Sequence, residues 1–401
     1  MTTACAATRD GLPDLKRQLS DWVVSDLGSV CALISDGTHQ TPHYVSSGVP
    51  FYSVEHVTSD DFQHTKFVSE EAHGAMSRTR SLERGDILMT RIGSLGETKL
   101  VDWDVHASFY VSLALLRPGS VVDPRYLYAY TKSAQFRRDV EKRSLLWAVP
   151  KKINMGEISG VRVEYPRDPG EQRRIAEALM CVESLVNALR QLIAKKRAMR
   201  RGMMQDLLTG RTRLPDFIGV WEKRAYRDLI TIERGEVFVV RNGRVRGDIP
   251  VIAAGQTPAA HTDRANRQGP VVTISASGAS AGYVAFHDGP IFASDCSTIS
   301  SGRHFDLRFI YYGLKLQQDR IYQAQVGGAQ PHIHAKDIYP LETYVPPSVD
   351  EQRAISGVLA DVDSEIIALE MRLSKISNVR QGMMQELLTG KTRLVPCEVS
   401  A

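Results

Sequence analysis

Two stretches of the chain carry apolar residues at alternating steps of four and three. Ile175, Leu179, Val182, Val186, Leu189 and Ile193 form the first stripe; Ile355, Leu359, Val362, Ile366, Leu369 and Leu373 form the second. Such a stripe is the seam of a coiled coil, the narrow face of a long helix that packs on another helix. Start and stop signals agree with it. Asp168-Pro169-Gly170-Glu171 offers an N-cap acid, Pro at the first helical position and Glu at the third. Ser348-Val349-Asp350-Glu351 reads as a capping box in which Ser348 and Glu351 satisfy orphan amides reciprocally. Both stretches close near LLTG, where Gly210 and Gly390 suit the left-handed position past a helix end.

The stripes belong to an internal repeat. The 44 residues from Glu171 and the 44 from Glu351 align without a gap at an offset of 180, and 22 positions are identical. A period this long is a duplicated half-molecule rather than a solenoid unit. Equal seams predict that the copies pack on each other as an antiparallel pair. A helix of 40 residues would span roughly 60 Å and act as a spacer. The rival reading is two unrelated helices, each lying on its own domain.

Between the helices the period changes to short apolar runs broken by Gly, Pro and Asp. VPFYSVEHV, DILMTRIG, YVSLALLRP and GVRVEYP read as strands in the first half; IPVIAAG, PVVTISASG, GYVAFH, PIFASDC and YPLETYVP do so in the second. One helix precedes the last strand in each half, PRYLYAYTKSAQFRRDVEK and DLRFIYYGLKLQQDRIYQAQ. The expected fold class is therefore α+β: two α/β domains of one plan with unlike loops, separated by two long helices. The boundaries are read as a first domain over 1–167, a first helix over 168–212, a second domain over 213–347, and a second helix with its tail over 348–401.

Composition narrows the class. The 401 residues are 43% hydrophobic and 24% charged, enough for real cores. No apolar run is long enough to span a bilayer, and the start lacks a basic-then-apolar signal, which predicts a cytoplasmic protein. Five cysteines without CxxC spacing predict neither a disulfide framework nor a cysteine-rich zinc site. His39 and His43 are separated by Pro42, and His332 and His334 lack a third ligand of suitable spacing, so no metal site is expected. The net charge of +4 permits nucleic-acid binding without requiring it.

DGTHQTP at Asp36–Pro42, the following GVPFYSVEHV, RGDILMTRIGSLGE at Arg84–Glu97, SASGASAGYV, PIFASDCSTI and GGAQPHIHAKDI occur in that order. With the EQRRIA and EQRAIS helix starts and the twin GMMQ(D/E)LLTG(R/K)TRL endings, nearly the whole chain resembles the specificity subunit of Type I restriction-modification systems. The resemblance implies two target-recognition domains held apart by an antiparallel coiled coil, each reading one half of a gapped site in double-stranded DNA. It also implies two DNA methyltransferase subunits as partners, which use S-adenosylmethionine to methylate adenine N6. A translocase-nuclease subunit using ATP and Mg would join where the system also restricts. This chain itself would hold no cofactor and no catalytic residue.

Candidate DNA contacts in the first domain are Thr38, His39 and Thr41, then Arg91 and Ser94 in a Gly-rich turn, and Lys151 and Lys152. Ser277 and Ser280 occupy the matching turn of the second domain, and Gln330, His332, His334 and Lys336 its late loop. Hydroxyls and Lys suit phosphate, Arg a guanine edge and Gln an adenine edge. The competing reading of each is a turn residue bonding its own backbone. Arg241, Arg244 and Arg246 form a further basic loop, and Lys132, Arg137, Arg138, Lys142 and Arg143 a basic cluster that would lie on phosphate or simply face solvent. No GxGxxG strand-helix unit, GxSxG elbow, HExxH or Asn-Pro-Pro-aromatic run is present. The alternatives to a DNA-reading subunit are a stand-alone DNA-modifying enzyme and a coiled-coil scaffold that binds no DNA.

Overall fold

The computed structural model describes residues 21–78, 80–238, 247–300 and 305–394. The fold divides into two units. The first takes the described residues up to Ala188 and those from Leu373 onward; the second is Leu189–Arg372. The division thus runs inside both long helices.

In the first unit, β1 (Trp22–Asp26) leads through the short helix α1 (Leu27–Val30) into β2 (Cys31–Asp36). A four-stranded antiparallel sheet follows in the order β2, β8 (Leu113–Pro118), β5 (Ile87–Thr90), β6 (Thr98–Leu100). A second sheet has β3 (Val49–Tyr52) at its centre, antiparallel to β4 (Lys66–Val68) and parallel to β7 (Ser108–Phe109). Helices α2 (Val54–Ser59) and α3 (Glu70–Ser77) lie in the connections of this sheet. Strands β5 and β8 are buried on both faces, which explains why they read as continuous apolar runs rather than alternating ones. Period two still sorts their side chains: Ile87, Met89, Ala114 and Leu116 join one core, and Leu88, Leu113 and Leu115 another.

The single helix expected before the last strand is two. Helix α4 (Pro124–Thr131) stops, and Ser133 accepts the Phe136 amide at 3.1 Å to cap α5 (Ala134–Lys142). After α6 (Met155–Ser159), β9 (Arg162–Pro166) pairs back on β1 and feeds the long α7 (Pro169–Leu208).

The second unit repeats this plan strand for strand. Its four-stranded sheet runs β11 (Glu233–Arg234), β17 (Cys296–Ser300), β14 (Val271–Ser275), β15 (Val284–His287). Its three-stranded sheet runs β13 (Ala260–Thr262), β12 (Ile249–Ile252), β16 (Phe292–Ala293), again with one parallel pair. The pre-terminal helix is split here too, into α8 (Leu307–Leu316) and α9 (Gln318–Gln323). After α10 (Ala335–Ile338), β18 (Glu342–Val345) pairs with β10 (Glu222–Ala225) and leads into α11 (Val349–Leu387).

Helix–helix pairing is visible within each unit separately. In the first, Arg380 of α11 reaches Glu183 of α7 at 2.6 Å, and Met383, Met384, Leu387 and Leu388 share a core with Ile175 and Leu179. In the second, Lys196 meets Glu365 at 2.7 Å, Arg197 meets Glu370 at 2.6 Å, and Met204, Leu207 and Leu208 pack with Ile355 and Leu359. In both units the C-terminal part of one helix meets the N-terminal part of the other, so the pairing is antiparallel. The seam follows the 4,3 stripe: Ile175, Leu179, Val186, Leu189, Ile193, Ile355, Leu359 and Ile366 are buried, while Val182, Val362, Leu369 and Leu373 are half-buried.

The repeated EQR and TRL residues form one joint twice. Glu171, fully buried, receives Arg393 Nε and Nη2 at 2.7 and 2.6 Å; Glu351, equally buried, receives Arg213 Nε and Nη2 at 2.9 and 2.7 Å. Glu351 therefore does not close the capping box expected with Ser348. Its carboxylate serves Arg213 and the Trp221 indole, and Ser348 Oγ accepts the Asp350 amide. The neighbouring glutamines act as clamps. Gln172 bonds the Pro166 carbonyl and the Asp123 amide, and Gln352 bonds the Pro346 carbonyl and the Asp306 amide, so each long helix is tied to the cap of the helix beneath it.

Gly210 and Gly390 end the long helices at φ +72° and +68°, as the sequence suggests. A Cβ at Gly390 would sit 2.8 Å from the Trp22 ring, against 3.3 Å from Trp221 at Gly210. Gly390→Ala is therefore expected to lower the melting temperature more than Gly210→Ala, the left-handed backbone alone costing about 1–2 kcal/mol at either position. Equal shifts in thermal melts of the two variants would contradict the tighter packing at Trp22.

Candidate nucleic-acid interface

In the first unit one buried guanidinium assembles three loops. Arg91, 8% exposed, donates to Asp36 Oδ2 at 3.1 Å, to the Val111 carbonyl at 3.0 Å and to the Ile153 carbonyl at 3.3 Å. The same Asp36 oxygen lies 2.9 Å from His39 Nε2. The Gly-rich turn is further tied to the late loop by the Gly93 amide on the Lys151 carbonyl, 2.8 Å, and by a bridge between Ile92 and Lys152. The first loop is held by a Thr38–Tyr110 bridge, with Thr41 Oγ1 3.4 Å from the Tyr110 hydroxyl.

This arrangement brings all seven first-domain candidates together but gives them different orientations. His39, Thr41, Ser94, Lys151 and Lys152 are exposed, whereas Thr38 is half-buried and bonds within its own turn to Gln40. Arg91, expected at a base edge, is instead the internal brace. Its partners are buried or half-buried acceptors that would lose this donor were it to swing outward.

The basic cluster also separates. Lys132 turns inward to the Thr98 carbonyl, and burial pulls its ammonium pKa below the usual lysine range. Arg137 pairs with Glu97 at 3.2 Å and Arg143 with Asp139 at 3.3 Å, while Arg138 and Lys142 are exposed.

In the second unit the matching turn and loop are joined in the same way. The Gly278 amide bonds the Pro331 carbonyl at 2.9 Å, and His332 bridges both Ser277 and Val326. Ser277, a candidate contact, is 7% exposed and donates to Asp295, so it faces inward. Ser280 and His332 are half-buried. Gln330, His334 and Lys336 are exposed, and the His332 and His334 rings lie parallel with centroids 6.3 Å apart. Arg241 and Arg244, with Arg246, lie outside the described residues.

Among the described residues no three His, Cys, Asp or Glu side chains gather as a metal site, and no helix is long and apolar enough to cross a membrane. Cys31, Cys181 and Cys296 are free thiols; burial pushes those of Cys31 and Cys296 up to about 12, far from a nucleophile's range.

Residues 219–377 match the family described as the Type I restriction modification DNA specificity domain. A putative type I restriction enzyme MjaX specificity subunit from Methanocaldococcus jannaschii is 22% identical over 422 residues, covering 93% of this chain and 94% of that protein. The first half carries the same strand order as the matched half, with the same joint to its long helix. Over most of its length the chain is thus similar to Type I specificity subunits.

Other relatives of this class include a putative type I specificity subunit, S.MpnORF638P, from Mycoplasma pneumoniae, 22% identical over 74% of this chain and 80% of its own. In fold, the crystal structure of the Type-I restriction-modification system S subunit from M. genitalium matches 91% of this chain and 96% of that one, at a TM-score of 0.68 and 15% identity. Reading the sequence missed Trp147 and Val149 on the late loop, which are 81% and 99% exposed, and the bracing role of Asp36. It also missed the Glu171–Arg393 and Glu351–Arg213 joints, although the recurrence of both partners at one offset in the two copies was a usable signal.

Proposed function

We propose that this chain is the sequence-reading component of a Type I restriction-modification complex, each unit reading one half of a bipartite DNA site. The observation that carries the reading is one scaffold built twice with unlike surfaces. The first unit presents His39, Thr41, Ser94, Lys151 and Lys152, where the second presents Gln330, His334 and Lys336. Unlike loops on a common frame suit two different base sequences. The chain acts without catalytic residues of its own, in the cytoplasm. Two methyltransferase subunits bind it and use S-adenosylmethionine to methylate adenine N6, and a translocase-nuclease using ATP and Mg joins where the system also cuts.

The test is retention of duplex DNA by this chain co-purified with its methyltransferase. The expected result is selective binding of the sequence methylated in host DNA, lost when either half is scrambled and falling steeply between 50 and 200 mM salt because phosphate contacts release counterions. Salt-insensitive behaviour without sequence preference would favour a protein scaffold. S-adenosylmethionine binding by the isolated chain would favour a stand-alone enzyme.

A further inference from the structure

The late loop of the first unit ends in an apolar tip that no described residue covers. The Leu145 amide bonds the Lys152 carbonyl at 2.7 Å and closes the loop, leaving residues 146–150 to project. On it Leu146 is 46% exposed, Trp147 81% and Val149 99%. The other tryptophans, Trp22, Trp103 and Trp221, are half-buried in packing. The base of the loop is anchored at Lys151 and Lys152 by the Gly-rich turn, and the Ile153 amide bonds the Arg91 carbonyl at 3.0 Å. Exposed Lys151 and Lys152 follow directly on the tip. An aromatic and a branched aliphatic residue on a firmly based projection, bordered by ammonium groups, have the chemistry of a wedge. The cations settle on phosphates while the ring enters the base stack.

The second unit builds the same loop without the wedge. Val326 and His332 exchange both backbone hydrogen bonds, at 3.0 and 2.8 Å, and close a tip of Gly327, Gly328, Ala329, Gln330 and Pro331. Gly327 turns at φ +100°, where a Cβ would meet the Gln330 carbonyl oxygen at 2.7 Å. This tip offers an amide for hydrogen bonding and no ring for stacking.

We infer that Trp147, backed by Val149, inserts into the base stack of the DNA half-site read by the first unit, and that the other half-site is bound without such an insertion. The inference rests on the DNA-reading function proposed above.

The experiment uses the full chain with its methyltransferase on the duplex it methylates, with 2-aminopurine placed in turn at non-target positions of each half-site. Binding should raise the fluorescence several-fold at one step of one half-site only. Trp147→Ala should remove that rise and weaken binding about 10–100-fold, the range of one lost stacking contact, with Trp147→Phe keeping part of both. Val149→Ala should lower the rise less. Full affinity and an unchanged rise in Trp147→Ala would overturn the wedge, as would burial of Trp147 by the methyltransferase before DNA is added. Loss of sequence-selective retention by the wild-type complex would instead overturn the parent reading, so the two failures are separable.

Discussion

Arg393→Met is expected to destabilise the first unit by about 3 kcal/mol, the lower end of the range for breaking a buried pair by removing one partner. Glu171 is fully buried and holds Arg393 through two hydrogen bonds of 2.6 and 2.7 Å, while the Arg393 side chain keeps 16% exposure, which softens the loss. The cost arises chiefly from the carboxylate left behind rather than from the vanished attraction. The double variant Glu171→Leu, Arg393→Met should therefore recover most of the stability. The urea midpoint and hydrogen exchange over residues 169–188 and 373–394 report the effect. A double variant no better than the single one would show that the pair acts through something other than compensated charge. Arg213→Met should act in the same direction on the second unit.

The long helices were legible because three independent signals agreed along one stretch: period, caps and repetition. The Glu–Arg joints were less so, since Glu351 also fits a capping box and local sequence cannot choose between a neighbouring amide and an arginine 138 residues away. The central strands β5 and β8 were readable as apolar runs. The break between α4 and α5 was not, because Lys132-Ser133 contains neither Gly nor Pro and the apolar pattern continues across it. The candidate loops stand out in sequence by their Gly and Ser content, but orientation within a loop has no periodic signature. Arg91 and Ser94 are three residues apart, yet one is an interior brace and the other is exposed.

That difference sets the second large effect. Arg91→Met should remove discrimination at one half-site by about 100-fold or more, equivalent to about 3 kcal/mol, while leaving discrimination at the other half intact. Three loops lose a common donor at once, and Asp36 keeps His39 beside it without the guanidinium. Arg91→Lys keeps the charge but has no planar fork to reach both Asp36 and the two carbonyls, so it should rescue only partly. Competition between the intact duplex and duplexes scrambled in either half measures this directly. An equal loss at both halves would mean that the substitution unfolds the first unit rather than releasing its loops, and hydrogen exchange across β5 and β8 separates the two outcomes.

Arg393 also lies 3.9 Å from Asp21, and Gly390 packs against Trp22, so the first and last described stretches of the polypeptide are neighbours. The corresponding internal stretch, Arg213 to Trp221, makes the equivalent joint without a break. A circularly permuted chain opened near residue 215, with its original ends joined, is therefore expected to keep the Glu171–Arg393 joint and to place the second recognition module first along the polypeptide.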